Sequence, residues 1–178
     1  MNDPSKIFDG LLVLQYRSGT KTAISLLVNK YHNKLCKHSY WYTHDIDASK
    51  DIVQDCWSII IKKLDSLKDP NLFGSWAFRI VTRKSLDFVQ KKKRESIKLH
   101  EYYEVPVSNE NEEGNETEVQ RLLKAIQTLP NDQQTVVRLF YRENYSLKEI
   151  GNILEVSVGT VKSRLFHARE RLKLILKK

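Results

Sequence analysis

The sequence predicts an all-α chain of two small helical domains joined by a flexible acidic linker. Three observations carry that expectation. Apolar residues recur at spacings of three and four through most of the chain, with few alternating runs. The stretch "HEYYEVPVSNENEEGNETE" (His100–Glu118) breaks that period with Pro106, Gly114, several Asn and many Glu. Charge divides at the same place. Residues 1–94 hold 17 Lys+Arg against 9 Asp+Glu, residues 95–118 hold 1 against 8, and residues 119–178 hold 12 against 5, within an overall net charge of +8. Two basic bodies around an acidic segment suit contact with a polyanion. A structureless loop beyond about 12–15 residues is uncommon inside a compact domain. The domains are therefore placed at 1–94 and 119–178, with the linker at 95–118.

The first domain reads as consecutive helices. "ISLLVNKYHNKL" sets Ile24, Leu27, Val28, Tyr31 and Leu35 on one face. A second helix is expected over Ala48–Leu64, with its N-cap among Asp47 to Ser49. "KDPNLFG" (Lys68–Gly74) is a breaker. "SWAFRIVTRKSLDFVQKKKR" then starts on a Ser75 cap and closes with "KKKR", whose cations suit a helix C-terminus. The second domain gives "VQRLLKAIQTL" before Pro130, then "DQQTVVRLFYRE", "SLKEIGNILEV" and "SVGTVKSRLFHARERL".

Composition narrows the function classes. Hydrophobic residues make up 40%, enough for packed cores. No apolar run approaches the ~20 residues that span a bilayer. "MNDPSKIFDG" lacks a signal peptide's apolar region, so a cytoplasmic protein without a membrane partner is expected. Cys36 and Cys56 make no disulfide framework and fall in helical stretches, where buried thiols are the ordinary case.

"SLKEIGNILEVSVGTVKSRL" has the layout of a helix-turn-helix. Ser146 and Glu149 form a capping box. Gly151 lets the second helix cross closely, and Ser157 caps that helix. Val158, Val161, Leu165, Ala168, Leu172 and Ile175 are its expected inward face, all within about 60° of Val161. Thr160, Ser163 and His167 point away from that stripe, with Lys162, Arg164, Arg169 and Arg171 on its flanks. Short polar residues admit the backbone to base edges in a major groove, and the longer cations reach phosphates. A helical pair with a merely solvated basic face has the same pattern.

The Ala48–Leu64 helix carries more apolar surface than one buried face needs. Ile52, Val53, Cys56, Ile60 and Leu64 make its inward stripe. Trp57 and Ile61 lie at or beyond the edge, beside Gln54, Ser58 and Lys62, as in a protein-binding strip. A helix packed between two others shows the same surplus. Beyond the breaker, Arg79, Arg83 and Gln90 line one side of the next helix, with Asp87 close by and Phe73 and Trp76 flanking the turn. Cations beside aromatics suit unstacked single-stranded nucleic acid, although Trp76 alone reads equally as core.

Enzymatic readings find little support. Asp45, Asp47, Asp51 and Asp55 lack further ligands at metal spacing and stand where a helix N-terminus favours acids. His32, Cys36, His38 and His44 fit no closed zinc pattern. No phosphate loop or nucleophile elbow is present. No catalytic residue, metal or cofactor is assigned.

"LPNDQQTVVRLFYRENYSLKEIGNILEVSVGTVKSRLFHARERL" resembles region 4 of bacterial sigma factors of the extracytoplasmic-function type, and "DIVQDCWSIIIKKL…FGSWAFRIVTRKSLDFVQKKKR" resembles their region 2. The resemblance extends from about residue 20 to the end. It implies a sigma factor of the sigma-70 family, not an enzyme, that binds core RNA polymerase and directs it to promoters. By position it assigns polymerase docking to Asp51, Gln54, Asp55, Trp57, Ile61 and Lys62. It assigns opening and reading of the −10 element, single-stranded there, to Asn71, Phe73, Ser75, Trp76, Arg79, Arg83 and Asp87. It assigns the −35 duplex to Ser157, Thr160, Lys162, Ser163, Arg164, His167 and Arg171. An anti-sigma factor is the implied regulator. Two departures stand out: Thr82-Arg83 where the family often has Arg-Asn, and Gln134 where it usually has a basic residue. A conventional duplex-binding regulator and a polymerase-binding decoy are the competing readings. The first predicts operator binding without polymerase, the second docking without initiation.

Overall fold

The computed structural model describes residues 3–98 and 117–177, with side chains over 3–95 and 117–177. Of the linker expected at 95–118, residues 99–116 lie outside the described residues, and 95–98 and 118 are already helical. Among the described residues every regular element is helical, as the sequence period predicts: α1 (Pro4–Arg17), α2 (Thr22–Thr43), α3 (Ile46–Lys63), α4 (Phe73–Lys98), α5 (Glu118–Gln127), α6 (Asn131–Tyr141), α7 (Leu147–Leu154) and α8 (Val158–Leu176). They form two compact units, whose main bodies are Met1–Glu95 and Ser96–Gly151 with Val156–Lys178.

In the first unit, Asp3 caps α1 by accepting from the Ser5 amide at 3.0 Å, with Pro4 at the first helical position. Asp9 is buried on α1 and accepts from Lys30 Nζ (2.5 Å) and the Tyr31 hydroxyl (2.6 Å), which ties α1 to α2. The start of α3 differs from the expected Asp47–Ser49. Asp45 is the cap, because its Oδ1 accepts from both the Asp47 (3.1 Å) and Ala48 (3.0 Å) amides. Asp47 then sits inside the first turn, where its charge opposes the exposed amides.

A 3-10 turn, Leu64–Ser66, follows α3, and the breaker itself holds a second, Pro70–Leu72, with its Phe73 and Gly74 already in α4. Asp69 caps the second by accepting from the Asn71 amide at 3.0 Å. The helix that follows begins at Phe73, not on a Ser75 cap. Ser75 is already inside it, buried, and donates to the Leu72 carbonyl at 3.0 Å. α4 also continues past "KKKR" to Lys98.

Leu27, Leu35, Val53, Cys56, Ile60, Leu64, Phe73, Phe78 and Val81 make the core of this unit. Ile24 and Val28, expected on the buried face of α2, are only half-buried. Two polar contacts cross from α2 to α4 inside it. His38 Nε2 meets Thr82 Oγ1 at 2.7 Å, and Ser39 Oγ meets Ser85 Oγ at 2.9 Å. Thr82 gives its one proton to the Phe78 carbonyl at 2.8 Å, so His38 Nε2 is the donor in their pair.

In the second unit, Thr117 and Gln120 form a capping box on α5. Gln134 Nε2 donates to the carbonyls of Gln127 (2.9 Å) and Leu129 (2.6 Å), closing the end of α5. The Ser146–Glu149 capping box forms at α7. Glu149 Oε2 accepts from the Ser146 amide at 2.9 Å, and Ser146 Oγ accepts from the Glu149 amide at 3.3 Å. Glu155 turns the chain in the left-handed region (φ 56°), and the Val156 amide donates to the Gly151 carbonyl at 3.0 Å. A Cβ at Gly151 would stand 2.9 Å from the Val156 carbonyl oxygen and 3.8 Å from a Val158 methyl. Gly151 thus makes room for the backbone of the turn itself, with the α8 side chain further away.

Gly151→Ala is expected to destabilise the second unit by roughly 1–3 kcal/mol, the cost of overpacking against an unyielding backbone atom. All three tryptophans, Trp41, Trp57 and Trp76, belong to the first unit. In a urea titration the loss therefore shows as an earlier far-UV circular dichroism step with the tryptophan fluorescence transition unmoved. Coincident shifts in both signals would refute this account.

Candidate nucleic-acid interface

The second unit presents α8 on a rigid base. Val161, Leu165 and Ala168 are buried against the unit's core. The expected inward stripe is longer than the observed one, since Val158 and Ile175 are exposed and Leu172 half-buried. Helix α8 packs on α6 and α5. Ser157 accepts from the Thr160 amide at 3.0 Å and shares a 2.9 Å hydroxyl contact with Thr160 Oγ1. Both hydroxyls are thus engaged at the helix N-terminus, leaving amides and dipole there for a phosphate. Lys162, Ser163, His167 and Arg171 are exposed. Arg164 is half-buried, and its Nε lies 3.1 Å from Asp132 Oδ2 of α6. Arg169 donates to the Tyr141 hydroxyl at 2.9 Å and lies over the Phe140 and Tyr141 rings. Phe166, 59% exposed beside His167, was not singled out by periodicity. An exposed aromatic amid polar residues on α8 was the available signal.

In the first unit the turn into α4 sorts its residues sharply. Asn71 is exposed on the second 3-10 turn, and Arg79, Arg83 and Asp87 are exposed along α4. Trp76 is half-buried. Phe73 is completely buried, contrary to its expected place beside a single strand. Its ring meets Tyr31 edge-on (centroids 5.4 Å apart), Trp57 in a stack (6.4 Å) and Trp76 (6.3 Å). Phe73 and Ser75 are therefore core residues that hold the turn, and neither offers a surface for bases. Thr82 is likewise buried, so only Arg83 of the Thr82-Arg83 pair faces solvent.

On α3, Asp51, Gln54, Asp55, Ser58, Ile61 and Lys62 form one exposed face. Trp57 does not belong to it. The indole is 7% exposed and packs under Phe73. Periodicity placed it at the edge of the stripe, and the third neighbour, α4, turns that edge into core. Of the surplus apolar surface only Ile61 remains on the candidate docking face.

The alternative chemistries find no support. Among the described residues no group of three or more His, Cys, Asp or Glu is arranged to hold a metal. His32 Nε2 and Cys36 Sγ approach to 3.6 Å on one turn of α2. Burial raises the Cys36 thiol, with Lys50 opposing, and pushes the Cys56 thiol up to about 12, with Lys84 opposing and Asp55 adding. Both shifts favour the protonated thiol. No helix among the described residues is long and apolar enough to cross a membrane. A feature the sequence did not disclose is an apolar groove of about 630 Å³ between α5, α6 and α8. It is lined by Leu122, Ile126, Val137, Tyr141 and Leu172, with Arg169 and Lys173 at hand.

Two family descriptions match the chain. The model of sigma-70 region 2 matches residues 27–95, and that of sigma-70 region 4 matches residues 119–172. The ECF RNA polymerase sigma-E factor of Haemophilus influenzae is 29% identical over 179 residues, covering 94% of this chain and 94% of its own. The ECF RNA polymerase sigma factor SigW of Bacillus subtilis is 28% identical over 177 residues, covering 90% and 92%. Two solved structures share the helical fold. They are the sigma factor RpoE of Bartonella quintana with the anti-sigma factor NepR (TM-score 0.69, 23% identity, 86% of this chain and 96% of that one), and CnrH with the cytosolic domain of CnrY (TM-score 0.66, 22% identity, 96% and 97%).

Trp57→Ala is expected to cost roughly 3–5 kcal/mol of first-unit stability, as for deletion of a large core aromatic, in a denaturant melt of the full chain. A cost within the ±0.5 kcal/mol of a surface change would return Trp57 to the docking face. Iodoacetamide at pH 8 is expected to leave Cys56 unmodified in the native chain and to modify it in guanidinium, read by mass spectrometry. Native-state labelling of Cys56 would contradict its burial.

Proposed function

Since the chain belongs to the sigma-70 family and is a sigma factor of the extracytoplasmic-function type that directs transcription initiation, we propose that its two units read the two promoter elements. The α8 surface enters the −35 major groove, and the α3–α4 turn with the outer face of α4 takes the −10 strand. The observation that carries this reading is the composition of the exposed α8 face. Ser163 and His167 are short or flat polar groups at groove height, and Lys162 and Arg171 flank them as phosphate ligands. Ser157 and Thr160 act through the helix N-terminus that they close. On the −10 side, Asn71, Arg79, Arg83 and Asp87 are the accessible polar groups, and Trp76 is the accessible ring.

Asp51, Gln54, Asp55, Ile61 and Lys62 form the face proposed to dock on core polymerase: one aliphatic anchor inside a polar rim. The relatives are named as RNA polymerase sigma factors, which supports a polymerase partner. Two solved neighbours of the same fold are held with an anti-sigma factor or a cytosolic partner domain. The groove between α5, α6 and α8 supports an anti-sigma partner here too, because an exposed apolar groove with cations at its rim fits an amphipathic, acidic helix.

Reconstitution tests the assignment. The full chain with core polymerase is expected to start transcription at discrete sites on a genomic template, and the chain alone to bind duplex DNA weakly. Tight duplex binding without core would favour a conventional regulator, and core binding without initiation would favour a decoy. Lys162→Ala is expected to lower the slope of log affinity against log salt by about one and to leave base preference unchanged. An unchanged slope removes Lys162 from the phosphate contacts. Ile61→Glu is expected to weaken core binding at least tenfold. Unaltered core affinity would move the docking face elsewhere.

A further inference from the structure

Helix α1 lies before residue 27, where the region 2 match begins, and none of the proposed contacts uses it. Its inner face nevertheless holds the segment that carries Asn71. The Arg17 guanidinium donates to three carbonyls of the α3–α4 connection: Leu64 at 2.6 Å, Leu67 at 2.6 Å and Asp65 at 3.3 Å. About two turns earlier on the same helix, Gly10 is buried beneath Asn71. A Cβ at Gly10 would fall on Asn71 Oδ1, 3.2 Å from its Cγ and 3.3 Å from its backbone nitrogen. The Asn71 side chain occupies the space that the missing Cβ leaves. Helix α1 is in turn anchored by buried Asp9 and by Leu12 and Val13, so this seat does not move with the loop.

We propose that α1 is a positioning element for −10 reading, with Gly10 as the seat that orients the Asn71 carboxamide and Arg17 as the staple that fixes the Leu64–Leu72 segment. An exposed asparagine on a short 3-10 turn ordinarily samples several rotamers, and ordering it at the moment of binding weakens and blurs recognition. Seating its oxygen on a glycine in a braced helix removes that disorder beforehand, as a supporting shell does for any reading group. This proposal rests on the reading that Asn71 touches the −10 strand.

The test uses the full chain with core polymerase and a duplex library randomised over the −10 region, with base frequencies in the bound fraction read by sequencing. Asn71→Ala is expected to flatten the preference at one position at least threefold. Gly10→Ala is expected to flatten the same position by a similar factor, because its methyl group displaces the flexible end of Asn71 and crowds its backbone nitrogen. The double variant is expected to be no flatter than either single one, as holds for residues acting through one contact. Ile7→Ala, on the exposed face of α1, is the control and is expected to change nothing. Alanine is the better helix former, so Gly10→Ala is expected to fold. Should its melting curve show otherwise, Arg17→Gln replaces it with the same expected position. Wild-type frequencies in Gly10→Ala beside a flattened Asn71→Ala overturn the positioning role and leave the −10 reading standing. Multiplying effects in the double variant also overturn it. If Asn71→Ala flattens no position, the −10 reading by Asn71 fails and the positioning role falls with it.

Discussion

The first unit depends on the burial of one ring at a chain reversal. Phe73 is the first residue of α4 and is wholly buried, with Tyr31 of α2, Trp57 of α3 and Trp76 of α4 around it. Aromatic pairs of this kind contribute about 0.5–1.5 kcal/mol each beyond the area they bury. Three of them meet at the point where the chain turns from α3 to α4. Once the Phe73 ring is inside, the residues around it have no choice of direction. Asn71, two residues back, must face outward on the 3-10 turn, and Arg79 and Arg83 must follow the outer side of α4. The candidate single-strand surface is thus set by what the turn hides.

The same cluster explains where sequence reading succeeds and where it fails. Periods of three and four locate all the helices of the region 4 body and the centre of the α8 stripe, because Val161, Leu165 and Ala168 pack against a single layer. Caps at Ser146 and Ser157 are legible because a capping box is local chemistry. Phe73 is misplaced because the breaker pattern includes it, although it is the first residue of α4, and Trp57 because a helical period describes one buried face. It does not say when a second neighbour buries the edge as well. Asp45 outcompetes Asp47 as the α3 cap for a related reason: both are good cap types, and backbone geometry selects between them. The apolar groove beside α8 needed three helices from separate stretches, which no local pattern encodes.

The departures from the family pattern acquire a physical meaning inside the fold. At position 134 an amide stands where a cation is usual, and it donates to the Gln127 carbonyl that ends α5 and to the Leu129 carbonyl just beyond it. A hydrogen-bond donor is what that helix end requires, so the neutral residue keeps the join between α5 and α6 without the charge. At position 82, threonine satisfies a buried histidine and a helix carbonyl together. Its role is to join α2 to α4, and the exposed face of α4 resumes one residue later at Arg83. Gln134 and Thr82 are both buried, so each acts on a join between helices and neither presents a group at the surface.

Arg164 joins the two demands made on α8, a fixed helix and a charged face. Its Nε lies 3.1 Å from Asp132 Oδ2, with the Arg side chain 29% and the Asp side chain 46% exposed. A pair that open to water contributes under about 1 kcal/mol, so it adds little to holding α8 on α6. Its effect is on order. A guanidinium has five N–H donors in a planar fork, and one edge held by Asp132 leaves the others free to meet a phosphate or a base edge with the plane already set. The carboxylate also lowers the net positive charge on this flank, which trims non-specific attraction to any duplex while keeping the oriented donors. On the proposed reading, in which α8 enters the −35 groove, a charge pair nearly neutral in stability would act on selectivity from α6, a helix outside that groove.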